Sequence, residues 1–274
     1  SLHLKLVSVE NHIIELLWFL SLPWLLVACV GDAKHHRGTI ETSTIEVDVG
    51  PATNSRPATL PGTDEDWEIL QDKARWAYKN GIDTLPIGKI MVHIGQRFLG
   101  TPYAPHTLET KGDEELVIEI QELDCVTFVE NVLALAIFVR KFPETILEDR
   151  AVSYQANYSE ILQKIRYRNG DINGYSSRLH YFSEWITDND AMGIVQNLSR
   201  KLGGIPDHDS IYFMTTHPDE YRQLGENPSL VLVMKEIETR LSKNPRYYIS
   251  QEQIRDISNS IQDGDIIAAT STVT

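Results

Sequence analysis

Residues 123–131 read LDCVTFVEN, and this stretch decides the fold. Asp124 is a residue type that caps helix N-termini, and the positions after it are mostly apolar as far as Val139. We therefore predict a buried helix from Cys125 to Arg140, with Cys125 in its first turn. The first amide groups of a helix have no partner within the helix, so the thiol of Cys125 lies where negative charge is stabilised.

Cys125 has two interpretations at this stage. The positive end of the helix dipole favours the thiolate, which is the nucleophilic form of cysteine. However, Cys125 shares a helical stripe with Val129 and Val132, and a buried cysteine is commonly just a small hydrophobic residue. Composition alone favours the packing role, and only the features described below shift the balance towards catalysis.

The chain has two cysteines, and the other one, Cys29, directly follows an apolar segment at residues 13–28. A segment of about sixteen residues is short for a bilayer-spanning helix, which needs ~20, but it suits a secretory signal. Residues 26–29 read LVAC and resemble the lipobox of bacterial lipoproteins, in which the cysteine is lipidated. An uncleaved membrane anchor is the alternative. If Cys29 is lipidated, Cys125 lacks a disulfide partner in an exported protein and becomes a candidate reactive thiol.

Three segments follow from this pattern. We predict a signal peptide with lipobox at residues 1–29, a flexible tether at 30–63 and one folded domain at 64–274. The tether is rich in Thr, Ser, Pro, Ala and Gly. Val30 follows the cysteine where some lipoproteins carry aspartate, so by analogy we expect an exported lipoprotein of the bacterial cell envelope on the periplasmic face of the outer membrane.

Composition excludes several partners. With 274 residues, 42% of them hydrophobic, the chain can bury a core, and its net charge of −14 argues against nucleic acid or an anionic membrane surface. We therefore expect membrane contact through the lipid anchor only. The histidines lack metal-ligand spacing and no phosphate-binding glycine loop is present, so we predict no metal and no cofactor.

Hydrophobic periodicity and turn residues predict the other elements. They are helices from Asp64 to near Gly81 and at 85–99, 178–186 and 229–241, and strands at 116–120 and 266–269. Asn157 and Ser250 each begin a capping-box pattern. Because helices come first and strands late, the order predicts an α+β fold rather than repeating βαβ units.

Three motifs resemble the NlpC-type papain-like cysteine hydrolases of bacterial cell walls. They are Gly100-x-Pro102-Tyr103, Asp124-Cys125 and Gly264-Asp265-Ile266-Ile267. Residues 123–131 and 168–182 are more similar to one branch, the exported N-acetylmuramoyl-L-alanine amidases. The resemblance covers Asp64 to the last residue. It implies a papain-like α+β fold, in which a helical N-terminal half with the nucleophile helix packs on a small antiparallel sheet or half-barrel.

The resemblance also implies roles for single residues. Cys125 would attack an amide carbonyl of a muropeptide and form a thioester, and its backbone N–H would help to hold the oxyanion. Tyr103 would lie beside the thiol and orient it or the substrate. Asp124, in the same substrate-facing turn, more plausibly caps the helix than takes part directly.

A second polar cluster lies at residues 175–181, which read YSSRLHY. Arg178 could clamp a carboxylate of the peptide stem in bidentate fashion, and His180 and Tyr181 are further candidate substrate contacts. A role for His180 as general base is the less favoured alternative. The structural interpretation, a solvated helix end with Leu179 packed inward, is equally supported.

The sequence departs from the family pattern after Ile267. In these hydrolases the general-base histidine follows the Gly-Asp strand, whereas residues 268–274 read AATSTVT. We therefore expect the domain to be truncated at its C-terminus and this chain to be inactive and poorly stable. Two other functions stay open, namely an endopeptidase that cuts the peptide stem and a non-catalytic envelope lipoprotein that binds muropeptides.

Overall fold

The computed structural model describes residues 5–10, 25–28, 61–147, 151–244 and 246–270, with the backbone only at 5–10, 25–28, 151 and 270. The helices are α1 Asp64–Lys79, α2 Ile87–Gln96, α3 Cys125–Lys141, α4 Pro143–Leu147, α5 Ala151–Arg166, α6 Phe182–Ala191, α7 Phe213–Thr216, α8 Arg222–Glu226, α9 Pro228–Ser242 and α10 Gln251–Ile257. The strands are β1 Lys5–Glu10, β2 Leu25–Ala28, β3 Gln196–Asn197, β4 Ile205–Asp207, β5 Arg246–Tyr248 and β6 Ile266–Thr270.

Helix α3 forms the centre of the main core. Every residue from Val129 to Val139 is buried, because this helix is apolar on nearly all sides and must be surrounded by other elements. Helices α1, α2 and α5 pack around it. Aromatic rings close the core between them, with Phe138 in edge contact with Tyr154 at 4.5 Å between ring centroids. The predicted helix at 125–140 is therefore confirmed.

Two sheets are present in the described residues. One has the order β2-β6-β1-β3 with parallel pairs throughout, and the other is the antiparallel pair β4-β5. In β6, Ile266 and Ala268 face the main core while Ile267 packs in a separate cluster, as expected for alternating side chains. The predicted strand at 266–269 is confirmed. The antiparallel sheet of the prediction corresponds only to β4-β5, and the papain-like arrangement stays a prediction.

The turn before β6 requires glycine. Gly264 has φ +83°, and a Cβ atom built on it would lie 2.2 Å from the Cα of Gly88 at the start of α2. The Gly-Asp motif therefore brings the entry of β6 directly against α2. Asp265 closes the turn, since its Oδ2 accepts the Gln262 amide at 2.7 Å.

Three local predictions were wrong. Residues 116–120 form no strand, because their backbone is bound by side chains instead: the Ile120 amide donates to Asp66 Oδ1 at 3.2 Å. The helix predicted at 178–186 begins only at Phe182, since residues 175–177 form a 3-10 turn and Arg178 is extended. Asn157 lies inside α5 rather than at its start. The capping box at Ser250 is confirmed.

Part of the N-terminal prediction lies outside the described residues, including Cys29 and positions 30–60 of the proposed tether. Within the predicted signal segment, the backbone of Leu25–Ala28 forms β2 beside β6. At the other end of the tether, Thr63 caps α1 by accepting the Asp66 amide. In the parts of the chain that the structure describes, no helix has the length and apolar character to span a bilayer.

Candidate active site

Asp124 organises the N-terminus of α3. Its Oδ1 accepts the Thr127 amide at 2.7 Å and the Thr127 hydroxyl at 2.8 Å, while the Asp124 amide donates back to Thr127 Oγ1 at 2.9 Å. This reciprocal capping box fixes the direction in which the first turn begins. The capping role predicted for Asp124 is confirmed, and a direct contact with substrate stays a prediction.

Cys125 is the first residue of α3 and is half-buried. It is a thiol rather than half of a disulfide, and one side of it packs against the main core. The position therefore combines the two interpretations of the sequence. The residue contributes to packing, and its place in the first turn exposes the sulfur to the amide end of the helix dipole.

Tyr103 is held next to this turn by the backbone. Leu123 donates to the Pro102 carbonyl at 3.0 Å, and Ala104 donates to the Leu123 carbonyl at 3.3 Å. These bonds form an isolated parallel bridge between Tyr103 and Leu123, two residues before the thiol. Tyr103 is 72% exposed, so much of the residue is accessible to a bound molecule. The structure thus brings together the first two motifs of the sequence.

We name the connection between α2 and α3, residues 97–124, the α2–α3 loop. Apart from the bridge at Tyr103 it contains only turns and irregular backbone. Its shape comes from side chains of the surrounding helices. Asp66 on α1 binds its end at Ile120, and Arg166 at the end of α5 donates to the Val117 carbonyl.

Arg178 lies behind this loop rather than on the surface. Its Nη2 donates to Glu109 Oε1 at 2.7 Å, and its Nε lies 2.9 Å from Glu114 Oε1. The Arg178 side chain is 8% exposed. Burial lowers the pKa of the guanidinium, but Glu114 and Glu109 outweigh it and raise the pKa overall. The charge of Arg178 is therefore compensated within the protein, and its substrate-clamp role stays a prediction.

His180 belongs to the same cluster. Its Nε2 lies 2.9 Å from the Tyr175 carbonyl, and because a carbonyl only accepts, this nitrogen carries the proton. The centroids of the His180 and Tyr175 rings are 4.3 Å apart. Burial, and secondly the charge of Arg178, hold the pKa of His180 well below its usual value. The ring is therefore neutral at physiological pH, and its Nδ1 is an acceptor.

Tyr181 is buried in a second core cluster with α9. Its hydroxyl donates to Glu238 Oε1 at 2.6 Å and accepts the Met214 amide at 3.1 Å. Burial, followed by the bond to Glu238, raises the pKa of Tyr181 far above its usual range. The residue ties the site cluster to α7 and α9, and its predicted contact with substrate stays a prediction.

Sequence reasoning missed Glu109 and Glu114. Both are buried around Arg178, and Glu114 also accepts the Tyr167 hydroxyl at 2.9 Å and the Gln223 amide at 3.1 Å. The acidic run at 113–115 was visible but reads equally well as a solvated surface. Its role becomes clear only from the contact with Arg178, and no local sequence pattern links the acidic run to that arginine.

Other features lie away from the thiol. A cavity of about 680 Å³ is lined by the start of α2, the end of α3 and residues 261–265, and another of about 660 Å³ lies along α9. Neither is lined by Cys125. In the described part of the chain, no three histidine, cysteine or acidic side chains are grouped so that they could hold a metal ion.

The fold and the site define an α+β protein with a cysteine in the first turn of a buried helix and a tyrosine-bearing segment bound beside it. The sequence profile of the AmiA-like family, described as N-acetylmuramoyl-L-alanine amidase-like, matches residues 93–274. Since this is more than half of the 274 residues, the chain belongs to that amidase-like family.

Solved structures are similar to part of the chain. Two crystal structures of an N-acetylmuramoyl-L-alanine amidase from Bacteroides uniformis ATCC 8492, at 1.15 and 1.07 Å resolution, are 40% identical with a TM-score of 0.53. A Bacteroides fragilis protein described as a candidate xylanase is 35% identical with a TM-score of 0.51. The matches cover 60%, 60% and 57% of this chain, which spans 64% of each of those proteins. No curated protein is significantly similar to the chain.

Proposed function

We propose that this chain is a thiol amidase of peptidoglycan fragments that cleaves the bond between N-acetylmuramic acid and L-alanine. The observation that carries the proposal is the place of Cys125, half-buried in the first turn of α3 with the Tyr103 segment bound two residues away. Membership of the amidase-like family supports a peptidoglycan amide bond as the target. The NlpC-type papain-like arrangement is part of the same proposal.

In this mechanism the thiolate of Cys125 attacks the amide carbonyl carbon of the muramic acid lactyl group. The backbone N–H of Cys125, at the helix terminus, stabilises the oxyanion that forms. Cleavage of the C–N bond releases the L-alanine amine, which takes its proton from solvent water, and leaves a thioester on the sulfur. Water then attacks the thioester, which releases the muramic acid carboxylate and regenerates the thiol. Tyr103 orients the substrate or the thiol through its hydroxyl.

His180 is proposed as a substrate contact rather than as the general base. A base is most effective when its pKa lies near the working pH, whereas burial holds the pKa of His180 well below that range. With Nε2 bound to the Tyr175 carbonyl, the neutral ring offers Nδ1 as an acceptor for an N–H group of the stem peptide.

We also propose that the protein is exported and anchored in the cell envelope by lipid on Cys29. The apolar residues 13–28 and the LVAC sequence support this. Metabolic labelling with a radioactive fatty acid tests it. The wild type should be labelled and the Cys29→Ala variant should not, and equal labelling of both would reject lipidation at this residue.

The amidase proposal is tested with N-acetylmuramoyl-L-alanyl-D-isoglutamine and two measurements. The first is alkylation of Cys125 by iodoacetamide in the folded protein, with and without this ligand. We expect reaction at Cys125 and protection by the ligand, and a thiol that resists alkylation until the protein unfolds would refute the site. The Cys125→Ala variant is the control for labelling elsewhere.

The second measurement is product analysis by mass spectrometry, for residues 1–274 and for a form extended beyond Thr274. The proposal requires release of the intact dipeptide by at least one form, and loss of that release in Cys125→Ala. Cleavage between L-alanine and D-isoglutamine would instead identify an endopeptidase. Protection of the thiol without cleavage by either form would identify a muropeptide-binding lipoprotein.

A further inference from the structure

The α2–α3 loop carries Tyr103 but has no regular secondary structure of its own to hold it there. Irregular backbone keeps one shape only when other groups bind it. The bridge to Leu123 fixes the two ends of the stretch from Pro102 to Leu123 against each other. The bridge places Tyr103 beside the first turn of α3, and contacts to the residues between these ends oppose opening of the bridge.

Arg178 binds that intervening stretch at two points. Its Nη2 and Nε reach Glu109 and Glu114, on either side of the turn around Gly112, at 2.7 and 2.9 Å. The side chains of the two glutamates are 10% and 3% exposed. A single planar guanidinium thus joins both arms of the loop, which a point charge on a flexible stem could not do with the same geometry.

The groups behind the arginine are fixed in turn. The guanidinium stacks over the Tyr175 ring at 5.0 Å, and the Tyr175 hydroxyl donates to Glu109 Oε1 at 3.2 Å. Tyr167 donates to Glu114 Oε1 at 2.9 Å, and its amide is bound to the Gln163 carbonyl of α5. The loop is therefore coupled to the end of α5 directly, through Glu114 and Tyr167, and also through Arg178, whose backbone forms a bridge with Tyr167.

We propose that Arg178 is a positioning residue, which holds the α2–α3 loop so that Tyr103 stays against the first turn of α3. The inference rests on the proposed function in that Tyr103 acts beside the thiol. This role replaces the predicted binding of a substrate carboxylate by Arg178. A guanidinium that is already paired with two buried carboxylates has no pair of N–H groups left for bidentate binding of a third.

The test compares Arg178→Lys with Arg168→Lys. Lysine retains the charge at residue 178 but cannot span both glutamates. Arg168 is a matched control because it also forms an ion pair, at 2.8 Å to Glu184, and binds the Ser176 carbonyl, yet none of these partners belongs to the α2–α3 loop. Circular dichroism and thermal melting establish that each variant is folded.

Amide hydrogen exchange is the first readout, at the amides of Ala104 and Leu123 that form the bridge. We expect exchange about tenfold faster or more in Arg178→Lys and unchanged in Arg168→Lys. If Arg178→Lys fails to fold, Glu109→Gln removes the charge from one of the two loop contacts, which weakens it, and should accelerate exchange of the same amides. Unchanged exchange in the folded Arg178→Lys, or in Glu109→Gln where it replaces that variant, overturns the proposal.

Ligand discrimination is the second readout. The N-acetylmuramoyl dipeptide is used as free acid and as C-terminal amide, with dissociation constants from calorimetry and, for an active form, kcat and KM. The positioning role predicts that Arg178→Lys changes the dissociation constants of both ligands equally. It also predicts a loss in kcat of up to about 10²-fold, because Tyr103 is misplaced. If Arg178→Lys weakens binding of the free acid but not of the amide, Arg178 binds the substrate carboxylate, and the positioning role is wrong. A wild type that neither binds nor cleaves either ligand defeats the proposed function, while the exchange result still decides the role of Arg178.

Discussion

Replacing Arg166 by methionine tests the buried ion pair that holds α3. Arg166 Nε donates to Glu130 Oε2 at 2.7 Å, and both side chains are 2% exposed. Among the residues that the structure describes, removing the arginine leaves the Glu130 carboxylate with one side-chain donor, the Trp185 indole at 3.2 Å. An uncompensated buried charge of this kind costs about 3–5 kcal/mol. With about 2–4 °C per kcal/mol for a domain of this size, the melting temperature should fall by about 6–20 °C.

Lys164→Met is the control for this substitution. Lys164 lies two residues earlier on α5 and pairs with Glu160 at an equally short 2.6 Å, but these side chains are 44% and 46% exposed. We expect a change within about 0.5 kcal/mol. The double variant Glu130→Met/Arg166→Met should be more stable than Arg166→Met, because it leaves no buried charge. Urea denaturation gives each free energy of unfolding.

The pH dependence of the same variant has a defined sign. Burial raises the pKa of Glu130, and the Arg166 guanidinium opposes that rise. Without Arg166 the folded-state pKa moves further above the unfolded value of ~4.3. A raised pKa means that stability is retained below pH ~4.3 and lost as the pH rises through the folded-state pKa, so the deficit of Arg166→Met should grow from acid to neutral pH. A deficit below about 1 kcal/mol at neutral pH, or one that is independent of pH, would refute this reasoning.

Three further predictions address the site and its supports. Asp124→Ala should cost about 1 kcal/mol in urea denaturation and slow alkylation of Cys125, because the capping box disappears; unchanged alkylation would separate the cap from the thiol. Gly264→Ala should cost about 2 kcal/mol or more, since φ is +83° and the new Cβ would meet the backbone of α2; an unaltered melting temperature would contradict that contact. The lowered pKa of His180 means that its contribution is present above pH ~6.5 and lost as the pH falls towards the folded-state pKa, by up to ~1.4 kcal/mol per pH unit. His180→Gln should remove this acid slope, and superimposable pH profiles would count against a buried neutral imidazole.

The elements that sequence predicted well are those whose signal is local. Helix α3 was predictable because an N-cap residue precedes a long apolar run. Strand β6 was predictable because a Gly-Asp turn precedes a short apolar run. The approach of Gly264 to Gly88 explains why the turn signal was reliable, since only glycine fits both the backbone angle and the contact. The thiol and its cap were found for the same local reason.

The environment of Arg178 was not predictable in this way. Its partners Glu109 and Glu114 lie more than sixty residues earlier, and nothing in either segment specifies the pairing. Residues 116–120 resembled a strand for a related reason, because alternating apolar residues face the core whether the backbone binds a neighbouring strand or side chains. In this protein Asp66 and Arg166 supply those side chains. The helix start at Phe182 was missed because Leu179 donates to the Arg166 carbonyl instead of continuing a helix.

Helix α3 forms the centre of the core and also holds the thiol at its first turn. Its buried polar residues fix the orientation of the helix within the apolar core. An apolar helix surrounded by apolar neighbours can rotate or slide at modest cost, whereas buried polar groups must keep their partners. Asn131 accepts the Tyr158 hydroxyl at 2.6 Å from α5, and Glu130 is bound by Arg166 and by Trp185 of α6. These bonds lie within two turns of Cys125, so they fix the rotation of the helix where the first turn meets the α2–α3 loop. The direction in which the Cα–Cβ bond of Cys125 leaves the helix is thus set by bonds made inside the core.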